Sequence, residues 1–283
     1  METITKSCID DIMIMVKRTK DTYKNKCGII GAVAGSVGMA GAAVLCGLAA
    51  LRAGCGLMQY YVPDGIRDVL QMAVPEATCR SRKPDESILD CDSLAVGPGL
   101  GFHKEDREIL TYLLGTYTGT MVFDADGINN ITRMELQPLV KDFSGNLIMT
   151  PHRGEAARLL GIPFIPAGEQ AAAKAARHLA ETYHATVVLK GHETIVCDPE
   201  GNLVCNRETG NPGMATGGSG DVLTGLIASL VGQGLPYIDA AIAGVYIHGM
   251  AGDLAAEKFG ENGMVAGDIT RALADAIKSI IGR

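Results

Sequence analysis

Asp221 closes the run Asn211-Pro-Gly-Met-Ala-Thr-Gly-Gly-Ser-Gly-Asp221, and the apolar pair Val222-Leu223 follows it. Gly217, Gly218 and Gly220 let the backbone turn tightly into a helix starting near Asp221. N–H groups in a helix's first turn lack helical partners and carry partial positive charge, which suits phosphate. A carboxylate there can accept the proton of a substrate hydroxyl that attacks a terminal phosphate. In an isolated Gly-x-Gly-Asp the aspartate would read as a plain helix cap. The long glycine-rich run ahead of Asp221 argues for the phosphate site instead.

Four other loops have the same character: Gly35–Gly41, Gly97–Gly101, Asp124–Gly127 and Thr150–Gly154. Each alone reads as a tight strand-to-helix turn, but together they suggest a nucleotide- or phosphate-binding crevice. Two common fingerprints are missing. No G-x-x-x-x-G-K-[ST] occurs, and Gly97-x-Gly99 has Phe102 where a dinucleotide loop needs its third glycine. The eight cysteines form no C-x-x-C and no zinc spacing, so no metal site is assigned to them. They read as reduced, mostly buried thiols of a cytoplasmic protein.

The elements that must position these loops alternate. Strand-like runs are Gly28–Ala34, Leu57–Val62, Leu94–Val96, Met121–Asp124, Leu147–Thr150, Val187–Lys190 and Thr194–Cys197. Helical patterns cover Ala42–Ala53, Lys104–Leu114, Glu155–Leu160, Gly168–Tyr183, Asp221–Val231, Ile238–Lys258 and Asp268–Ile281. This order predicts an α/β fold with a mainly parallel sheet and helices on both faces. Ligands of such sheets sit beyond the carboxyl ends of the strands, where the glycine loops fall. Pro199-Glu-Gly-Asn202 reads as a hairpin turn leading to an antiparallel edge. Arg80–Glu86 reads as a charged surface loop.

Cys27–Leu51 has the length of a membrane span and no formal charge, but seven glycine or serine residues interrupt it. A strand, a glycine loop and a buried Ala-rich helix fit it better. Met1–Asp11 is polar and acidic, unlike a secretory leader. The 283 residues carry 25 Lys+Arg against 32 Asp+Glu, a net charge of −7 that argues against nucleic acid or an anionic membrane as main partner. Glycine, at 36 residues, exceeds the average of about 7% without any collagen period.

From about Lys24 to Ile281 the chain resembles the NAD(P)HX dehydratases, a branch of the ribokinase-like superfamily. The resemblance rests on Asn211–Gly225, Thr150–Glu155, Ala95–Gly101, Val122–Asn129, Leu189–Thr194 and Gly35–Ala43. It implies a ribokinase-like three-layer sandwich and a single domain over 1–283. Residues 1–23 are too few for the epimerase domain of bifunctional relatives, so epimerase activity is not expected. The implied reaction repairs NADH or NADPH hydrated at ring carbon 6: ADP or ATP phosphorylates the hydroxyl and phosphate is eliminated.

Carried over residue by residue, the resemblance makes Asp221 the base and a contact of the hydrate, with the Gly218–Gly220 amides as anion hole. Lys190, Gly191, His192, Glu193 and Thr194 would hold the nucleotide, with Gly220 closing on it. Ala42, Gly99 and His152 would line the hydrate pocket. Magnesium and a homotetramer are implied as well. Asp124 and Asp126 would orient magnesium or water, or cap the next turn. Arg153, where the family has proline, would touch phosphates or face water. His178 and His184 are expected in solvent, and His248 in helix packing or a subunit contact. Two other functions share these motifs: a vitamin-alcohol kinase of the same superfamily, and a non-catalytic nucleotide-binding or scaffold protein.

Overall fold

The computed structural model describes residues 1–282. Ten strands form one sheet: β1 (Glu2–Thr3), β2 (Ile29–Val33), β3 (Leu57–Val62), β4 (Ala77–Ser81), β5 (Ser93–Val96), β6 (Thr120–Phe123), β7 (Asn146–Met149), β8 (Thr186–Leu189), β9 (Thr194–Cys197) and β10 (Leu203–Asn206). Their spatial order is β1-β10-β9-β8-β7-β6-β5-β2-β3-β4. Every pairing from β8 to β4 is parallel, and only β9 runs against its two neighbours.

Eleven α-helices are α1 (Lys6–Met13), α2 (Ala40–Ala53), α3 (Arg67–Ala73), α4 (Lys104–Thr116), α5 (Asp126–Arg133), α6 (Gln137–Lys141), α7 (Arg153–Leu159), α8 (Glu169–Tyr183), α9 (Ser219–Gly232), α10 (Tyr237–Phe259) and α11 (Ala266–Ile281). Two cores fill the two faces of the sheet. One joins Ala32, Tyr60 and Ala95 to α2, α9, α10 and α11; the other joins Val33, Val96 and Phe123 to α4, α5, α7 and α8. Successive strand residues serve opposite faces, which is why β2 is apolar throughout and β5 is apolar after its buried Ser93. The result is the expected three-layer α/β sandwich.

The expected elements appear with ends shifted by at most two residues. Cys27–Leu51 is divided among a short turn, β2, a glycine loop and most of α2, and no helix among the described residues is long and apolar enough to cross a membrane. The hairpin at Pro199–Asn202 is present, but the edge is not β10. The two-residue β1 pairs in parallel outside it, through Glu2↔Val204 and Thr3↔Cys205. Sequence patterning missed β1, β4, α1, α3, α5 and α6, all short or weakly periodic.

The expectation for Arg80–Glu86 is also corrected. Arg80 and Ser81 belong to β4, and the Arg82 side chain is buried in an ion pair with Asp106. Of the cysteines Cys8 is exposed, Cys79 half-buried and the rest buried, all as free thiols.

Strand order reverses between β5 and β2: β3 and β4 extend one way, and β6 to β8 the other. Such a switch point opens a crevice at the carboxyl ends of the strands. The loops after β2, β5, β6 and β7 all leave from that edge, and Lys190 leaves it after β8.

Candidate active site

Helix α9 starts at this edge. Its cap, Gly218, has φ +95°, a left-handed conformation that needs no Cβ, and Asp221 lies in the first turn. Gly220 lies against an ion pair: an added Cβ would sit 3.1 Å from Lys190 Nζ and 3.2 Å from Asp124 Oδ2. The helix backbone therefore presses directly on two charged groups.

Those groups are well satisfied. Lys190 Nζ donates to Asp124 Oδ1 at 2.5 Å, and Thr224 Oγ1, one turn beyond Asp221, donates to Asp124 Oδ2 at 3.0 Å. Burial works to raise the Asp124 pKa, but the Lys190 charge and these hydrogen bonds outweigh it and hold the carboxyl below its usual range. Burial works to lower the Lys190 pKa, yet Asp124 and Glu155 hold it above its usual value.

Asp221 faces the opposite balance. Burial first, and then the charge of Asp124, push its carboxyl up to about 7, against the pull of Lys190. Two neighbouring carboxylates are thus driven apart, one firmly ionised and the other poised near neutrality. A carboxyl poised near the working pH is suited to proton transfer.

The loop between β6 and α5 aims two carboxylates in different directions. Ala125 has φ +47°, a strained conformation for a residue with a Cβ. Asp124 on one side of it turns to Lys190, and Asp126 on the other accepts the Gly101 N–H at 2.9 Å. Asp126 therefore ties the loop after β5 in place.

The wall made by the loops after β2 and β5 is tightly interlocked. Gly35 N–H donates to Pro98 O at 2.7 Å, and Ser36 Oγ donates to Gly99 O at 2.9 Å. Gly99 has φ +59°, and a Cβ there would lie 2.6 Å from Met39 O and 2.8 Å from the Ala42 Cβ. Ala42 and Gly99, named separately from the sequence, are thus in contact.

His152 belongs to another part of the edge. It caps α7, its Nδ1 accepting the N–H groups of Gly154 at 3.0 Å and Glu155 at 3.3 Å. This bonding places the neutral ring's proton on Nε2, which faces Glu155 Oε1 at 3.3 Å. A parallel bridge joins His152 to Lys190, whose N–H donates to Pro151 O at 2.8 Å.

Lys190 and the residues after it part company. Lys190 turns inward to Asp124, whereas Gly191, His192 and Glu193 form the exposed β8–β9 turn beside a cavity of about 220 Å³. Lys190 also lines that cavity, together with Arg153, Gly168, Glu169, Ala172, Leu189 and Ile195. Thr194 closes the turn, its Oγ1 donating to Gly191 O at 3.1 Å. Arg153 does not simply face water. Its guanidinium donates to Pro166 O at 2.6 Å and Gly168 O at 3.3 Å, anchoring the loop before α8.

His248 lies in helix packing, as expected: it is buried in α10 with Nε2 3.4 Å from Ser219 Oγ, at the start of α9. Burial lowers its pKa to about 4, which leaves the ring neutral. His178 and His184 are exposed, as expected.

Sequence reasoning missed Thr224, Glu155 and the Arg82–Asp106 pair as parts of the site. Thr224 had a signal, lying three residues after Asp221 on the same helix face. Glu155 had one too, as the third residue after the cap His152 in a capping box. Arg82 had none, because its partner Asp106 is brought up by the fold.

Comparison with known proteins gives the chain's family and fold. A family model described as NAD(P)H-hydrate dehydratase (Carb_kinase) matches residues 30–275. The ADP-dependent (S)-NAD(P)H-hydrate dehydratase of Neisseria meningitidis serogroup B is 39% identical over 259 residues, covering 90% of this chain and 86% of that protein. The bifunctional NAD(P)H-hydrate repair enzyme Nnr of Moorella thermoacetica is 38% identical over 278 residues. That match covers 93% of this chain, which spans about half (52%) of the relative's length.

Among solved structures, the ADP/ATP-dependent NAD(P)H-hydrate dehydratase from Bacillus subtilis, co-crystallised with ATP/Mg2+, superimposes with a TM-score of 0.85 at 26% identity. It covers 99% of this chain and 98% of that one. The fold is ribokinase-like. With the glycine loops, Lys190 and Asp221 all inside the matched span, the chain belongs to the NAD(P)H-hydrate dehydratase family.

Proposed function

We propose that this chain restores NADH or NADPH from the hydrate at ring carbon 6, using ADP or ATP as phosphoryl donor, as a carbon–oxygen lyase of one domain. The observation that carries the proposal is the Asp221 carboxyl. It is raised to about 7 at the N-terminus of α9 and set beside the ionised Lys190–Asp124 pair.

Hydroxide is a poor leaving group, and phosphate is a good one. Asp221 as carboxylate takes the proton of the C6 hydroxyl while that oxygen bonds to the terminal phosphorus and the nucleotide leaves. The ring nitrogen then expels phosphate, and loss of a ring proton restores the dihydropyridine. The Gly218–Gly220 amides at the helix start face developing negative charge, where one such donor is worth about 10² to 10³ in rate. Lys190 adds a fixed positive charge that Asp124 keeps in place.

Lys190, Gly191, His192 and Glu193 on the 220 Å³ cavity, with Thr194 closing their turn, are proposed to hold the nucleotide, with Gly220 closing on it. Ala42, Gly99 and His152 are proposed to line the hydrate. Among the described residues no three His, Cys, Asp or Glu side chains cluster as a metal cage. Magnesium bound through nucleotide phosphates needs only one or two protein carboxylates, and Asp126, half-buried with only Oδ2 engaged by the Gly101 N–H, fits that mode. Bound there it would neutralise phosphate charge. A cytoplasmic setting and a homotetramer accompany the proposal, the latter checked by sedimentation.

The deciding experiment supplies the hydrate with ADP and ATP side by side and follows NADH absorbance. Recovery only with a nucleotide supports the proposal. A stable phosphorylated product without NADH would instead make the chain a small-molecule kinase.

A further inference from the structure

We infer that Arg82, held by Asp106, is a positioning residue for the wall that carries Ala42 and Gly99. What that wall contacts rests on the dehydratase reading above.

Arg82 follows β4, separated from β5 by the two strands β2 and β3, and its guanidinium reaches into the loops at the switch point. Nη2 meets Asp106 Oδ1 at 2.8 Å, and Nη1 donates to Gly35 O at 2.5 Å. The side chains of Arg82 and Asp106 are only 5% and 2% exposed. The other Asp106 oxygen accepts the His103 N–H at 3.3 Å, at the cap of α4. One buried network therefore spans the segment after β4, the loop after β2 and the segment after β5.

The point of attachment matters. Gly35 has φ +69°, and its own N–H is the group that donates to Pro98 O. Ser36 next to it donates to Gly99 O. Arg82 thus grips the peptide whose neighbours set the height of Gly99 over Ala42.

A buried ion pair does not in general stabilise a fold more than a well-packed apolar pair. What an apolar pair lacks is directed donors. A planar guanidinium can serve a carboxylate and a carbonyl at once, and a lysine ammonium on its flexible stem does so poorly. Burial lowers the Arg82 pKa and raises that of Asp106 against their mutual attraction, so the pair is held at a cost. Orientation of the Gly35–Gly41 loop is the return.

The test is the paired substitution Arg82→Met with Asp106→Leu, which removes both charges together and avoids leaving one buried alone. Loss of a charge-assisted hydrogen bond corresponds to about a tenfold effect. Hydrogen exchange of the Gly35–Gly41 amides should quicken about tenfold, with those of α9 unchanged. KM for the hydrate should rise about tenfold, with kcat and nucleotide affinity within about twofold. A folded double variant with unchanged exchange and KM overturns the inference. Arg82→Lys, which keeps the charge, should raise KM by a smaller factor, and a wild-type KM there also overturns it. Should the wild type itself leave the hydrate untouched, the dehydratase reading fails, while the exchange measurement still decides whether Arg82 holds the loop.

Discussion

The two walls of the crevice use polar groups in opposite ways. In the wall of the β2 and β5 loops, backbone and side-chain groups are bonded to one another: Gly35 to Pro98, Ser36 to Gly99, Asp126 to Gly101 and Arg82 to Gly35. In the wall at the start of α9, Asp221 is kept beside the ionised Asp124, and its carboxyl is pushed up to about 7. The interlocked wall gives shape, and the strained one supplies reactivity. Functional groups held at an electrostatic disadvantage need a rigid surround, and here the surround lies across the crevice.

This contrast is easiest to break at Asp221. Asp221→Asn keeps the shape but removes the proton acceptor, so hydrate turnover should fall about 10³-fold with nucleotide affinity little changed. Retained turnover would take the base out of this wall. Gly220→Ala comes next. Its Cβ would crowd Lys190 Nζ and Asp124 Oδ2, and kcat should fall about tenfold while the thermal midpoint stays near wild type. A loss in KM alone would mean that Gly220 serves binding only.

Asp124→Asn sharpens the electrostatic half of the comparison. Asp124 raises the Asp221 pKa and also occupies Lys190, so its loss works downward twice. The acid limb of kcat/KM against pH should move down from near 7 by about one unit. An unmoved limb would assign that titration to another group.

The smallest effects concern stability. Asp221 has a folded pKa of about 7, above its ordinary 3.8. Its contribution is therefore full below 3.8 and is lost as pH rises through about 7. His248 has a folded pKa of about 4, below its ordinary 6.5. Its contribution is present above 6.5 and is lost as pH falls through about 4. The two slopes oppose each other between pH 4 and 6.5. From pH 7 to 5 the melting temperature of Asp221→Asn should drop more steeply than wild type, and that of His248→Gln less steeply. Parallel curves for all three would show that neither group is coupled to folding.

Much of this site was legible because its chemistry is local in sequence. The turn into α9, the glycine loops and the place of Asp221 follow from residue types at short spacing, whereas Ala42 and Gly99 were named only through the family resemblance. Lys190 was named through the resemblance, but its pairing was not legible, since Asp124 lies 66 positions away. Arg153 was misjudged because its acceptors are carbonyls of the loop at Pro166 and Gly168. Arg82 looked solvated because four charged residues surround it in sequence, and only Asp106 on another element explains its burial.

By itself the sequence determined the alternating elements, the parallel sheet and the edge where chemistry could occur. Those follow from hydrophobic period and from glycines at strand ends, which act over a few residues. Tertiary structure alone decided which of two nearby aspartates is ionised. That depends on burial and on charges a few ångströms away in space, and chain position carries no record of either.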